Sequence, residues 1–277
     1  MRRLPQFCLP LLACALAAGP MGCSDPEGPG KLGTWQKGSA KGRTARLERL
    51  ARTDPLALLE TCLTHCRDSY DAYTCTFTKQ ERIGGRLRPE QRAAVKFRAE
   101  PFSVAMHWTH NPPPADRVLY VAGRHGGKML LHLRSGLARL VAGDPALRAP
   151  DDPEVRKNTL RPITAFGLAN ALERLHDISK RACDAGDARW EFVGYAEVDG
   201  RETLVVERHL PATEAYPAAR TRIAIDTGTL APTDIRSWDG RGELLSRYAY
   251  TDVNLQAELT DADFQPDANG ITPPPQP

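Results

Sequence analysis

The chain has 277 residues, 41% of them hydrophobic, with 37 Lys and Arg against 34 Asp and Glu for a formal charge of +3. Loss of Arg2 and Arg3 with the leader described next leaves +1. This near-neutral balance, with basic residues scattered among acids, gives no electrostatic case for nucleic-acid binding. The leader pairs Arg2 and Arg3 with an apolar stretch from Leu4 to Ala18 that is interrupted by Pro5, Gln6 and Pro10. That is too short and broken to span a bilayer and reads as a secretory signal peptide over residues 1–22.

In "AAGPMGCSD", Cys23 follows the small residue Gly22 at the end of the leader, the position at which lipoprotein processing cleaves and acylates. Cys23 is therefore expected to anchor the protein to a membrane without spanning it; the alternative is ordinary cleavage. The Gly-, Pro- and Ser-rich run that follows reads as a tether, with residues 23–52 forming anchor and linker. Such a linker reaches roughly 30 Å.

"TDPLALLETCLTHCRDSYDAY" predicts a helix: Thr53 or Asp54 caps it, Pro55 suits its first turn, and Leu56, Leu59, Leu63 and Cys66 recur at helical spacing. Period two then takes over. "YTCTFTKQERIGGRL" sets Tyr73, Cys75 and Phe77 against Thr74, Thr76 and Thr78 and closes at Gly84-Gly85, a β-hairpin pattern. Five more strands are expected in residues 92–99, "PFSVAMHW", "RVLYVAG", "KMLLHL" and "GLARLVAG".

From Gly143 to Pro162 the chain loses periodicity and carries four prolines, a length typical of lids and binding loops. "ITAFGLANALERLHDISKRA" then places Phe166, Ala169, Leu172, Leu175 and Ile178 on one helical face. Five strands follow: "RWEFVGYAEV", "ETLVVERH", "TRIAID", "LAPTDIRSWD" and "ELLSRYAYTDVNL". The expectation is an α+β fold, mainly antiparallel β: about eleven strands curved into an unclosed barrel, with two helices on the concave side. The domain is expected over residues 53–266 and a proline-rich tail over 267–277.

Cys62, Cys66, Cys75 and Cys183 form an even set in an exported chain, which favours disulfides. Cys62 and Cys66 share a helix face at a separation too wide to bridge. Each is therefore expected to pair with one of Cys75 and Cys183. Cys62, His65 and Cys66 lack a second matched pair, so no metal is expected there. His107 alternates with an apolar face and should point outward; His125 with Gly126-Gly127 reads as a turn. Asp151, Asp152, Asp261 and Asp263 fall in loops as solvated charge. There is no G-x-S-x-G or H-E-x-x-H. Neither catalytic residues nor a cofactor is expected.

"YAYTDVNLQAELTDADFQPD" resembles the closing strand of the LolA/LolB lipoprotein-sorting superfamily, and "AIDTGTLAPTDIRSWDGRGELL" resembles its paired hairpins. "TKQERIGGRL…KFRAEPFSVAMHW…RVLYVAGRHGGKMLLH" with "RPITAFGLANALERL" is similar to an uncharacterised domain family of LolA-like fold. The resemblance implies an open barrel whose hydrophobic cavity receives lipid or lipoprotein acyl chains. It also implies an envelope location in a Gram-negative-type bacterium, on the periplasmic face and anchored at the outer rather than the inner membrane. The candidate cavity residues are Phe77, Phe97, Phe102, Val104, Met106, Trp108, Tyr120 and Leu131. Two functions compete: a lipid or lipoprotein carrier or receptor, and a non-catalytic envelope sensor or interaction module with a filled core and a protein partner.

Overall fold

The computed structural model describes residues 43–273. Helix α1 (Arg43–Thr53) leads into α2 (Pro55–Ser69). Antiparallel strands then run in chain order: β1 (Ala72–Ile83), β2 (Arg86–Leu87), β3 (Gln91–Arg98), β4 (Ser103–His110), β5 (Ala115–Val121) and β6 (Met129–Leu133). Helix α3 (Gly136–Ala142), strand β7 (Ala146–Arg148) and the single turn α4 (Pro153–Arg156) precede the long helix α5 (Leu168–Asp184). The chain returns to the sheet with β8 (Arg189–Val198), β9 (Arg201–His209), β10 (Arg220–Asp226), β11 (Pro232–Trp238) and β12 (Leu244–Asn254).

The strands form one sheet in the order β7-β6-β5-β4-β3-β1-β12-β11-β10-β9-β8, with β2 paired to β1 as a hairpin tip. The seam that joins the two halves is β1 on β12, where Phe77 faces Tyr250 and Lys79 faces Tyr248. β7 and β8 remain unpaired edges, so the curved sheet is an unclosed barrel, as its length and alternation led one to expect.

Alternation decides which face is buried. From β1, Tyr73, Cys75 and Phe77 enter the main core. Val95 and Phe97 of β3, Val104 and Met106 of β4, and Val206, Ile223 and Ile235 of β9 to β11 join them. The same core takes Leu58, Leu59, Cys62, Leu63 and Cys66 of α2 and Leu168, Ala171, Leu172 and Leu175 of α5. Asp54 caps α2 by accepting from the Ala57 amide at 3.0 Å. The N-terminus of α5 is fastened to the sheet instead: the Leu168 amide donates to the Tyr73 hydroxyl at 3.0 Å. Arg208 of β9 is buried and carries no carboxylate partner among the described residues; its Nη1 donates to the Ser179 hydroxyl at 2.7 Å and the Leu175 carbonyl at 3.1 Å. It thereby joins α5 to the second half of the sheet. Burial lowers its pKa to about 10.

The structure corrects several expectations. Residues 43–52 belong to helix α1 and not to a tether, because Leu47 and Ala51 pack into the core and the Tyr195 hydroxyl donates to Glu48 at 2.9 Å. The rest of the expected linker, the leader and Cys23 lie outside the described residues. "GLARLVAG" is a helix and not the sixth strand: the Ser135 hydroxyl caps it by accepting from the Ala138 amide at 3.3 Å, and Gly143 ends it at φ 89°. Leu137, Leu140 and Val141 follow helical spacing and are 72%, 83% and 81% exposed. The expected irregular segment contains β7, paired to β6, and α4, capped by Asp152. Part of the proline-rich tail is folded too, since Ile271 packs with Phe264 onto Ala105, Leu119 and Leu130 on the sheet's other face.

The disulfide expectation fails. Cys62, Cys66, Cys75 and Cys183 are all free thiols. Three are buried, and the Cys66 thiol sits 3.8 Å from the Leu230 carbonyl, whereas Cys183 lies exposed at the far end of α5. Cys62, Cys66 and Cys75 serve as small apolar core residues. Among the described residues, no helix is long and apolar enough to cross a membrane.

Candidate functional site

α2 and α5 pack together against the sheet around β1 and the strands of its second half, while the inner face of β4, β5 and β6 is covered differently. There a cavity of about 290 Å³ remains between strands and chain. Its floor is Phe77 of β1, Met106 and Trp108 of β4, Val118 of β5, and Met129 and Leu131 of β6. Tyr248 and Tyr250 of β12 close one side. Val155, Thr159, Arg161, Pro162, Ile163 and Phe166, from the segment ahead of α5, form the opposite wall together with Ala171 of α5. The lining is predominantly hydrocarbon and aromatic, so its chemistry is desolvation rather than directed polar recognition.

Of the eight candidate cavity residues, Phe77, Met106, Trp108 and Leu131 line this space. Phe97, Phe102, Val104 and Tyr120 do not. Phe97 stacks on Tyr73 with ring centroids 4.7 Å apart. Phe102 lies edge-on between Phe97, at 5.6 Å, and Tyr120, at 6.0 Å. Val104 is completely buried core. Sequence reasoning missed Val118, Met129, Phe166, Tyr248, Tyr250 and the wall from residues 155–163. Tyr248 and Tyr250 had a readable signal, since they alternate in "SRYAYTD"; their register opposite Phe77 did not. Phe77 packs against Phe166 at 5.1 Å and Tyr250 at 5.3 Å, which joins floor, side and wall into one aromatic cluster.

One end of the cavity is polar. Glu81 is only 2% exposed; its Oε1 accepts from the Tyr248 hydroxyl at 2.6 Å, and its Oε2 lies 3.3 Å from Lys79 Nζ. That second oxygen has no hydrogen-bond partner in spite of the ion pair, because the ammonium is not aligned on it. Arg161 lies over the Tyr248 ring, 4.4 Å from the centroid. Burial raises the Tyr248 phenol far above its ordinary range; Arg161 pulls it down, and the Glu81 charge pushes it up again. The phenol is held as a neutral hydrogen-bond donor to Glu81.

The remaining candidates resolve into structural roles. His107 is exposed, and His125, at φ 52°, turns the chain between β5 and β6. Asp261 pairs with Arg98 at 2.7 Å and Asp263 caps a short helical turn. Glu191, Glu207 and His209 bring ligand atoms within 4.8 Å of one another. Glu207, however, is already held by Arg222 Nε at 2.8 Å and lies 3.0 Å from His209 Nε2, contacts within β9 and β10.

A family model described as "Protein of unknown function (DUF1571)" matches residues 70–271. No curated protein matches the sequence. Among solved structures, the Pseudomonas aeruginosa MucA/MucB complex gives 17% identity over 78% of this chain and 62% of that one, with a TM-score of 0.44. A LolA superfamily protein from Nitrosomonas europaea gives 12% over 76% and 98%, with a TM-score of 0.35. The Mycobacterium tuberculosis lipoprotein LppX gives 14% over 75% and 100%, with a TM-score of 0.40. The chain spans less than two thirds of the length of MucB.

Proposed function

The chain belongs to the DUF1571 family, and we propose that it is an exported, lipid-anchored envelope protein that holds lipid or lipoprotein acyl chains in its cavity, as a carrier or receptor. The observation that carries this reading is the predominantly apolar cavity of about 290 Å³. A cavity lined by Met, Val, Leu, Trp and Phe presents apolar surface to water, and an acyl chain that enters it removes that surface from water. The anchor in this reading is Cys23 and the compartment is the periplasmic face of a Gram-negative-type envelope, at the outer rather than the inner membrane.

The test is a chain-length series of fluorescent fatty acids. Each added methylene that enters the cavity contributes about 0.8 kcal/mol, so affinity rises about fourfold per carbon and then levels off when the space is full. Lipid recovered by mass spectrometry from natively purified protein is the companion measurement. Length-independent binding, or no binding at micromolar concentration, refutes the reading.

A non-catalytic envelope sensor or interaction module on the same fold is the second reading. The exposed Leu137, Leu140 and Val141 of α3 favour it, because apolar side chains of this size on one short helix offer a contact surface for a protein partner. It requires no cargo, so the chain-length series separates the two.

A further inference from the structure

Arg161 stands in the cavity wall, and two further arginines flank it outside the lining: Arg156 at the end of α4 and Arg174 on α5, one turn beyond the lining residue Ala171. They are close enough that Arg161 and Arg156, after desolvation, help to hold the Arg174 pKa below its ordinary value. Among the described residues, none of the three lies within ion-pair distance of a carboxylate.

The neighbouring acids are engaged elsewhere. Glu81 is taken by Tyr248 and Lys79, Glu154 by Lys157, and Glu173 by Arg67. Asp177 attracts Arg174 only at longer range, short of an ion pair. Arg156 donates through Nη2 to the Leu160 carbonyl, yet its Nη1 is buried without any hydrogen-bond partner. An orphaned buried donor costs free energy, and three clustered guanidiniums repel one another unless an anion lies between them. Arg174 is exposed, but a solvated charge run does not explain the other two. Arg161 is only partly exposed and lies on the Tyr248 ring, and the orphan nitrogen of Arg156 is out of reach of bulk water.

We propose that Arg156, Arg161 and Arg174 form an anion site that takes the phosphate or carboxylate head of an amphiphile whose chain lies in the adjoining cavity. This rests on the acyl-chain reading and narrows it to acidic amphiphiles. Guanidinium forks suit both head groups, since each binds oxyanions through paired N–H donors. Arg161 belongs to both regions, because it lines the cavity and its guanidinium lies on the Tyr248 ring. The site thus supplies the orientation that a purely apolar cavity cannot: head towards the α4–α5 segment, chain across β4 to β6.

The experiment uses the full chain with three probes at pH 8: a fluorescent long-chain carboxylate, its methyl ester of the same chain, and inorganic phosphate alone, followed by calorimetry. The carboxylate is expected to bind at least about tenfold more tightly than the ester, the worth of one charge-assisted hydrogen bond. Arg156→Gln and Arg174→Gln, both outside the cavity lining, should each reduce carboxylate affinity about tenfold and leave ester affinity unchanged, with Arg174→Lys recovering part of the loss. Thermal melting of each variant establishes that it is folded, and any variant that fails to fold is replaced by its Lys counterpart. Equal affinity for carboxylate and ester, or equal weakening of both in the variants, overturns the anion site while chain binding stands. Arginine-dependent phosphate binding without binding of either lipid probe keeps the anion site, assigns it to a free anion and removes the acyl-chain reading. Binding of none of the three removes both.

Discussion

Replacing Gly167 with Ala tests how the cavity wall is fastened to the sheet. Gly167 caps the N-terminus of α5 at φ 131°, ψ 150°, a region open almost only to glycine. A Cβ placed there stands 3.1 Å from Phe97 Cε2 and 3.2 Å from Phe97 Cζ. Phe97 cannot withdraw freely, because it stacks on Tyr73, whose hydroxyl accepts from the Leu168 amide. Backbone strain contributes about 1–3 kcal/mol and the forced repacking about 1–3 kcal/mol, so Gly167→Ala should cost about 2–6 kcal/mol in all. At about 2–4 °C per kcal/mol for a domain of this size, the melting temperature falls by roughly 4–24 °C. Urea unfolding measures the free energy directly, and a double-mutant cycle with Phe97→Leu separates the two contributions. The smaller side chain should relieve the steric part and leave the strain. A loss below about 1 kcal/mol, or strict additivity in the cycle, refutes the account of α5 as clamped between Gly167 and Tyr73.

Tyr248→Phe removes the 2.6 Å hydrogen bond to the buried Glu81 and should cost about 1.5–3 kcal/mol in urea unfolding; an unchanged midpoint would mean that Glu81 is satisfied by Lys79 alone. Burial pushes the Cys66 and Cys75 thiols up to about 12, so native alkylation should mark Cys183 and spare both across pH 7–10; modification of Cys75 at pH 8 would show an open core. The same shifts fix the alkaline limit: the unfolded chain sheds these protons near pH 9 and the folded chain does not. Stability therefore falls by about 1.4 kcal/mol per pH unit per thiol from there towards pH 12, where a flat profile would refute the burial. Cys23→Ala should release the protein from membranes or stall its processing; unchanged fractionation with an unacylated N-terminus would remove the anchor.

Element type was legible wherever the period was long and one face was buried. All five strands of the second half stand where alternation placed them; α2 follows its cap and apolar spacing, and α5 its apolar spacing, though it begins at Leu168 and leaves Phe166 of the expected face outside the helix. Legibility failed where a short apolar stretch fits two periods. "GLARLVAG" contains enough Leu and Val for a strand, but Ser135 and Gly143 are helix-boundary residues and Leu137, Leu140 and Val141 keep helical spacing. The cysteines misled for another reason: even number and export are arguments about compartment, and they carry no geometry. Cys183 sits on the solvent face of α5, beside the buried Ala182, so it cannot turn towards the thiols of α2 or β1. The cavity was half legible. An inward-facing position on a strand is the same in sequence whether a helix or an opening lies above it, which is why Val104 and Met106, two residues apart on one face, part company.

What divides them is the reach of two helices beneath a sheet this wide. The sheet runs eleven strands from edge to edge, and α2 and α5 pack on the part centred on the β1–β12 seam and the strands beyond it. The inner face of β4 to β6 lies past the N-terminus of α5, where Val118, Met129, Leu131 and Ala146 form a separate buried cluster roofed by Val155 and Ile163. Irregular chain cannot fill space as densely as an interdigitated helix, because its backbone groups need partners of their own and its side chains do not form a continuous ridge. Thr159 shows the constraint: its hydroxyl accepts from the Arg161 amide at 3.4 Å, a polar requirement met inside the cavity wall itself. The cavity is therefore a consequence of topology, a sheet with more inner face than its helices cover. The segment 153–166 is at once its wall and the part of the fold with the least helical scaffolding to hold it shut.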